Sequence, residues 1–308
     1  MQRYFAKDFI DDKPVLYDSD IKHITKVMRL VSGDYFEVVY DKVVYHCKIE
    51  NTIPFSYIIE STSNEEDKTI GLTVAVGLVQ EQKMDLILQK LTELGVETII
   101  PLKTERSIVK LDDIRFAKKL VRWQMICKEA SEQSFRNVIP NITNVMTIDD
   151  LKNIDIDTKL VCSTKEKDNI INKYVDNLRK DDNIIFVIGP EGGLSTNEED
   201  KLNSYGYKSI SLGNRILRVE TATFFVASII NYINKLKIYK SIQLLDSNKS
   251  ILNISISSGF NSLEYYSEIF KKYIGISPNK YKNLYNLENK DIVINNVNKI
   301  RMFFQEVN

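Results

Sequence analysis

The sequence predicts an α/β protein: a mostly parallel sheet domain, preceded by a small β-barrel and followed by a short helical appendage. Three observations predict it. Between residues 71 and 238, near-continuous apolar runs alternate with amphipathic helical stretches, the pattern of a sheet covered on both faces. The first 70 residues instead carry short β-rich runs divided by turn signals. From about Tyr239 the α/β rhythm stops, and Ser, Asn, Lys, Ile and Tyr dominate. The expected domains are therefore 1–70, 71–238 and 239–308.

In the first unit, Tyr35 to Tyr40 follows a Gly33-Asp34 turn signal, and Val43 to Glu50 supplies a second strand soon after. The polar run Ser61 to Lys68 is read as the linker out. In the second unit, Leu72 to Val79 is a buried-strand run. Met84, Ile87, Leu88, Leu91 and Leu94 then fall at helical spacing, with Gly95 as the stop. Thr98 to Leu102 is a strand, and an amphipathic helix follows from about Ile114 to Ser131. Lys159 to Cys162, Ile184 to Ile188 and Ile210 to Leu212 are further strands, and a helix from Glu220 to Lys235 closes the set.

Bulk properties narrow the function. The 308 residues are 43% hydrophobic and formally neutral, so a nucleic-acid site has to be a local patch. Residues 1–70 hold nine Lys and Arg against thirteen Asp and Glu, a net of −4. Cys47, Cys127 and Cys162 are scattered, and only His23 and His46 accompany them, so no metal site is expected. An odd, dispersed set of thiols suits a reducing compartment. The charged N-terminus lacks a signal peptide's apolar run, and no stretch is long enough to span a bilayer. A cytoplasmic protein without membrane contact is expected.

Three stretches carry candidate chemistry. In Ile184-Ile185-Phe186-Val187-Ile188-Gly189-Pro190-Glu191-Gly192-Gly193-Leu194-Ser195, a buried strand enters a loop with three glycines, then a helix capped by Ser195 or Thr196. The carboxyl end of such a strand is where α/β sheets bind ligands. The pattern is neither a P-loop nor a dinucleotide fingerprint, and a tight structural turn would show the same glycines. In Leu212-Gly213-Asn214-Arg215-Ile216-Leu217-Arg218-Val219-Glu220-Thr221-Ala222, a strand again meets a glycine and a helix starts near Val219. Arg218 there is placed to hold an anionic base or a phosphate; a surface pair with Glu220 is the plainer alternative. Finally, residues 103–136 hold nine Lys and Arg against five Asp and Glu, and include Arg122 and the sole tryptophan, Trp123. That mixture suits RNA stacking, or equally a solvated helix face over a buried Trp.

Taken in order, these blocks resemble the RsmE family of the SPOUT class, whose members methylate N3 of a uridine in 16S ribosomal RNA. Arg3-Tyr4-Phe5 and His23-Ile24-Thr25-Lys26-Val27-Met28-Arg29-Leu30, with Gly33-Asp34, resemble the opening of its PUA-like barrel. Lys83, Leu91-Thr92-Glu93-Leu94-Gly95-Val96 and Ile100-Pro101-Leu102 resemble its first catalytic-domain block, and Glu129-Ala130-Ser131-Glu132-Gln133-Ser134 with Arg136 the next. The two glycine stretches resemble the last two. The likeness covers about residues 1–238.

That resemblance implies a deep trefoil knot in the sheet domain, S-adenosylmethionine (SAM) as methyl donor, a homodimer formed through the knotted domain, and the 30S subunit or its 16S rRNA as partner. It places Gly189, Pro190, Glu191, Gly192, Gly193, Leu194, Leu212, Gly213, Ile216 and Leu217 around SAM. It makes Arg218 and Glu220 the catalytic candidates. The imide N3 must lose a proton before it attacks, and Arg218 is suited to stabilise the resulting charge. Glu191 and Glu220 are both open as proton acceptors. Arg3, Lys22, Lys26, Arg29, Gln133 and Arg136 are the candidate RNA contacts.

The tail carries a second resemblance. Gly259-Phe260-Asn261-Ser262-Leu263-Glu264-Tyr265-Tyr266 through Gly275-Ile276-Ser277-Pro278-Asn279-Lys280-Tyr281-Lys282 resembles the second helix-turn-helix of AraC-type regulators, with Asn261 to Tyr273 as recognition helix. No first motif is visible, and Ser255 stands where that family has a small residue. Residues 240–308 hold nine Lys and Arg against six Asp and Glu, a thin footprint for DNA. An accessory helical fragment is therefore expected, with little order beyond Lys290. Two other functions stay open: a DNA-binding regulator acting through the tail, which predicts duplex binding without residues 1–238, and a non-catalytic ribosome-assembly protein, which predicts RNA binding without SAM binding.

Overall fold

In a computed structural model, described here for residues 1–64, 71–109, 113–175, 182–245, 249–260 and 262–286, the chain forms three packed units. The N-terminal unit contains β1 (Arg3–Phe5), β2 (Asp8–Ile10), β3 (Lys13–Val15), α1 (Asp18–Lys22), a π-type turn (His23–Val27), β4 (Tyr35–Tyr40), β5 (Val43–Thr52) and β6 (Phe55–Ser63). β1-β4-β5-β6 form one sheet, with β1 parallel to β4, and β2 pairs with β3. Two-residue turns at Asp11-Asp12 and Asp41-Lys42, all at positive φ, close the β2–β3 and β4–β5 hairpins. Both pairs of positive φ values are those of a type I′ turn, whose twist matches the flanking strands. Tyr4, Leu16, Ile24, Phe36, Val38, Cys47 and Ile49 form the core of this unit. Of the expected linker, Ser61 to Ser63 ends β6, and residues 65–68 lie outside the described residues.

The second unit contains β7 (Gly71–Gly77), α2 (Glu81–Glu93), β8 (Thr98–Lys103), α3 (Asp113–Gln133), β9 (Asn141–Ile142), β10 (Met146–Thr147), a 3-10 turn (Asp150–Asn153), β11 (Thr158–Cys162), α4 (Asn172–Val175), β12 (Asn183–Ile188), α5 (Thr196–Ser204), β13 (Lys208–Ile210) and α6 (Val219–Leu245). The strands make a seven-stranded sheet in the order β10-β8-β7-β12-β11-β13, with β9 also on β8, and every ladder in it is parallel. Side chains alternate faces along each strand. Ile184, Phe186 and Ile188 of β12 pack with Met84, Leu88, Trp123 and Val226 from α2, α3 and α6. Ile185 and Val187 face the other way, onto Leu194, Leu202 and Tyr207. Both faces are buried, as the continuous apolar strands predicted. Trp123 is 2% exposed and lies edge-on to Phe116, so it belongs to the core and not to an RNA-stacking surface.

Burial pushes the three thiols up, to about 12 for Cys47 and Cys162 and about 11 for Cys127. Little nucleophilic thiolate exists at neutral pH.

The third unit contains α7 (Ile251–Ser257), α8 (Leu263–Ile274) and α9 (Pro278–Asn286). The helix expected over Glu220 to Lys235 runs to Leu245, passing without a break through position 239. Its first half contributes Val219, Ala222 and Val226 to the sheet domain, and its second half contributes Ile238 and Leu245 to a separate core with Ile254, Phe260, Tyr266, Phe270 and Tyr281. Gly259 makes the turn before α8 at φ +92°, and Ser262 caps α8 by accepting from the Tyr265 amide. Asn261 and the segment beyond Lys290 lie outside the described residues. Among the described residues, no helix is long and apolar enough to cross a membrane.

Candidate active site

Parallel pairing sends the carboxyl ends of β12 and β13 to the same edge of the sheet. Only β11 separates them, so the two glycine loops emerge about 10 Å apart, two strand spacings. Leu194 then packs into the core on one face of the sheet, while Leu212 and Leu217 pack against the core on the other. The loops therefore diverge around the end of β11, at Cys162 and Ser163.

The first loop is held from outside. Ser195 caps α5: its hydroxyl accepts from the Glu198 amide at 3.2 Å, and Glu198 Oε2 accepts from the Ser195 amide at 2.8 Å. This reciprocal box satisfies two of the amides that begin a helix. Ser195, rather than Thr196, is thus the cap. The other Glu198 oxygen accepts from the Glu105 amide at 2.8 Å. Next to it, Arg106 Nη1 donates to the carbonyls of Gly192, at 2.8 Å, and Leu194, at 3.4 Å. Lys83 Nζ meets Glu191 Oε1 at 2.8 Å. Burial works to raise the Glu191 carboxyl, but the Lys83 bond and its own backbone amide outweigh it and hold the group below the usual carboxylate range. Arg106 and Glu198 were not singled out in the sequence, because no local spacing marks a contact spanning 86 or 93 residues.

The second loop runs from Ser211 to Arg218. Ser211 Oγ accepts from the Gly213 amide at 3.3 Å. Arg218 is exposed at the start of α6, and its carbonyl accepts the first helical bond from Ala222 at 2.8 Å. Glu220 sits in the first turn, and its Oε2 is buried without a hydrogen-bond partner among the described residues. A buried, unpaired carboxylate oxygen is costly and points to a missing donor. Ile216, by contrast, is 82% exposed and contributes apolar surface at the rim.

Gly193 and Gly213 hold φ of +69° and +116°, and a β-carbon at either would meet only open space. Gly33, Gly206 and Gly275 are equally open; what distinguishes Gly193 and Gly213 is their place on two loops at the carboxyl edge of one sheet, where a ligand can approach bare backbone. Open main chain at both turns and an unpaired carboxylate oxygen on Glu220 are groups that fit a ligand such as SAM.

The RNA candidates divide. Lys22, Lys26 and Arg29 are exposed together on one corner of the N-terminal unit, interleaved with exposed Val27 and Val31. Arg3 is not on that face: its guanidinium pairs with Glu37 at 2.7 Å and bonds Asn137 Oδ1 at 2.6 Å. Arg136 is 6% exposed and donates to the carbonyls of Thr92 and Val96, both at 2.9 Å. Carbonyls at and just after the end of α2 draw the Arg136 cation inward, and Glu37 with Asn137 draws that of Arg3, so both arginines serve contacts within the protein. Gln133 is exposed along an open groove of about 790 Å³ between α2 and α3, which Asp85, Lys90, Arg122 and Glu129 also line. This groove has mixed charge and shares none of its lining with the two glycine loops.

Comparison with known proteins agrees. The RNA methyltransferase domain profile matches residues 65–231, and the RNA methyltransferase PUA domain profile matches residues 16–54. The profile of AraC-family bacterial regulatory helix-turn-helix proteins matches residues 244–281. Ribosomal RNA small subunit methyltransferase E of Bacillus subtilis is 35% identical over 247 residues, 75% of this chain and 96% of that protein. The protein of the same name from Mesomycoplasma hyopneumoniae is 32% identical over 230 residues, 73% of this chain and 97% of that protein. Among solved structures, ribosomal RNA small subunit methyltransferase E of Neisseria gonorrhoeae bound to S-adenosyl methionine superposes with a TM-score of 0.65 at 27% identity, covering 74% of this chain and 95% of that one.

Proposed function

Because this chain belongs to the RNA methyltransferase family, among relatives named ribosomal RNA small subunit methyltransferase E, we propose that it methylates N3 of one uridine in 16S rRNA. It is a SAM-dependent rRNA methyltransferase of the SPOUT class. The observation that supports the finer reading is the meeting of two open glycine turns and an exposed arginine at the carboxyl edge of one sheet.

SAM, when bound, supplies an already activated sulfonium methyl group. The chain's own residues supply position and charge. Main chain around Gly193 and Gly213 fixes the donor. Arg218, reinforced by the positive end of α6, stabilises the negative charge left on the uracil ring when N3 is deprotonated. Holding the reactants in line supplies much of the remaining acceleration. Glu220 positions a donor through its unpaired oxygen, or accepts the N3 proton. The corner formed by Lys22, Lys26 and Arg29 grips phosphate of the rRNA. We further infer a cytoplasmic homodimer formed through the knotted domain, as the family resemblance implies, with the 30S subunit or its rRNA as partner. DNA reading by the tail is disfavoured, since α8 turns Glu264 and Glu268 to solvent.

The test is mass mapping of 16S rRNA after incubation with the protein and isotopically labelled SAM. One labelled uridine carrying an N3 methyl group is expected. Label on another base, on a ribose hydroxyl, or on no nucleotide would overturn the proposal.

A further inference from the structure

The contacts between the N-terminal unit and α3 form a connected seam. Arg3 Nε and Nη2 reach Glu37 Oε2 at 2.8 and 2.7 Å, and Glu37 is 5% exposed. From there the guanidinium crosses to the catalytic domain, donating to Asn137 Oδ1 and to the Phe135 carbonyl. It also lies 5.2 Å from the centre of the Phe135 ring, within the range of a cation–π contact. Beside it, the Phe5 amide donates to Glu132 Oε1 at 3.0 Å. Lys128 bridges Glu132 at 2.7 Å and Asp20 of α1 at 3.1 Å. Asp20 lies two residues before Lys22, on the segment that carries the exposed basic corner.

Phe135 is the unusual member. The Phe135 amide bonds the Glu132 carbonyl, and the Arg136 amide bonds the Ser131 carbonyl at 2.9 Å. This is the Schellman ending of a helix, and Phe135 fills its left-handed position at φ +56°. Glycine is strongly preferred there, because a side chain is strained at that φ. Yet Phe135 is 49% exposed, so no core burial compensates. What the aromatic residue gains is the Arg3 contact: the left-handed turn brings both its carbonyl and its ring to the guanidinium.

We propose that Arg3 and Phe135 are the centre of an interdomain clamp that sets the orientation of the basic corner at Lys22, Lys26 and Arg29 relative to the two glycine loops, making both positioning residues for the rRNA substrate. The proposal rests on the reading of the chain as an rRNA methyltransferase.

The decisive variant is Phe135→Gly, because glycine relieves the strain at the helix end while deleting the ring. It is measured in the full chain for steady-state methyl transfer to 30S subunits, SAM affinity and Tm. Interdomain distance is read by spin labels at Glu50→Cys and Asp200→Cys, two exposed positions, in wild-type and Phe135→Gly backgrounds. Expected are a rise in KM for RNA of about tenfold, with kcat and SAM Kd within about twofold, an unchanged or higher Tm, and a broadened distance distribution. Phe135→Trp, which keeps a ring, restores KM. Arg3→Ala reproduces the rise in KM. Unchanged KM in Phe135→Gly overturns the clamp. A raised KM with an unaltered distance distribution also overturns it, since Phe135 would then touch RNA directly. The distance measurement needs no activity, so the clamp and the methyltransferase reading fail separately.

Discussion

Arg218 carries the sharpest residue-level consequence. Its side chain is exposed where α6 begins, beside the glycine turn that ends at Leu217, and the helix end adds partial positive charge in the same direction. A group in this position acts on charge that develops during reaction and contributes little to holding the donor. Arg218→Ala should therefore lower kcat by about 10²–10³, about 2.7–4 kcal/mol of transition-state stabilisation. SAM affinity should stay within about threefold of wild type. Single-turnover transfer and calorimetry measure the two, and equal losses in both would refute the assigned role. Gly193 and Gly213 were legible in the sequence because a left-handed backbone needs glycine locally. The inward roles of Arg3 and Arg136 were not, because side-chain direction depends on partners 34 to 134 residues away.

At the level of elements, the junction of α2 and α3 shows what the family-like Glu129 to Arg136 block does in this chain. Gly95 ends α2 at φ +83°, and Arg136 crosses from beyond α3 to take the Thr92 and Val96 carbonyls. Arg136→Ala strands the Val96 carbonyl in a buried place and leaves the Thr92 carbonyl with only the Gly95 amide. It should destabilise the protein by about 2–4 kcal/mol, a charged donor serving two sites. Urea unfolding followed by far-ultraviolet circular dichroism measures it, and a change below about 0.5 kcal/mol would contradict the assignment. Strand positions were readable to within a residue or two, because Ile184 to Ile188 is apolar at every step and Leu72 to Val76 at every step but Thr73. The end of α6 was not. Compositional change near Tyr239 marks where the helix exchanges one core for another, and the backbone continues through it.

At the scale of the whole molecule, one seam joins the N-terminal unit, with the basic corner proposed to grip RNA, to the sheet domain, with the glycine loops proposed to hold the methyl donor. The helical appendage hangs from the far half of α6, with its own core. Its fold was foreshadowed by the Gly259 to Lys282 pattern, but its separation from the chemistry follows only from the length of α6. The loops at 189–194 and 212–218 are proposed to act together on one ligand although they pack into opposite cores. Hydrogen exchange followed by mass spectrometry, with and without saturating SAM, tests this directly. SAM is expected to slow exchange in both loops together and to leave the α2–α3 groove unaffected. Protection confined to one loop, or centred on the groove at Asp85, Lys90 and Gln133, would contradict it.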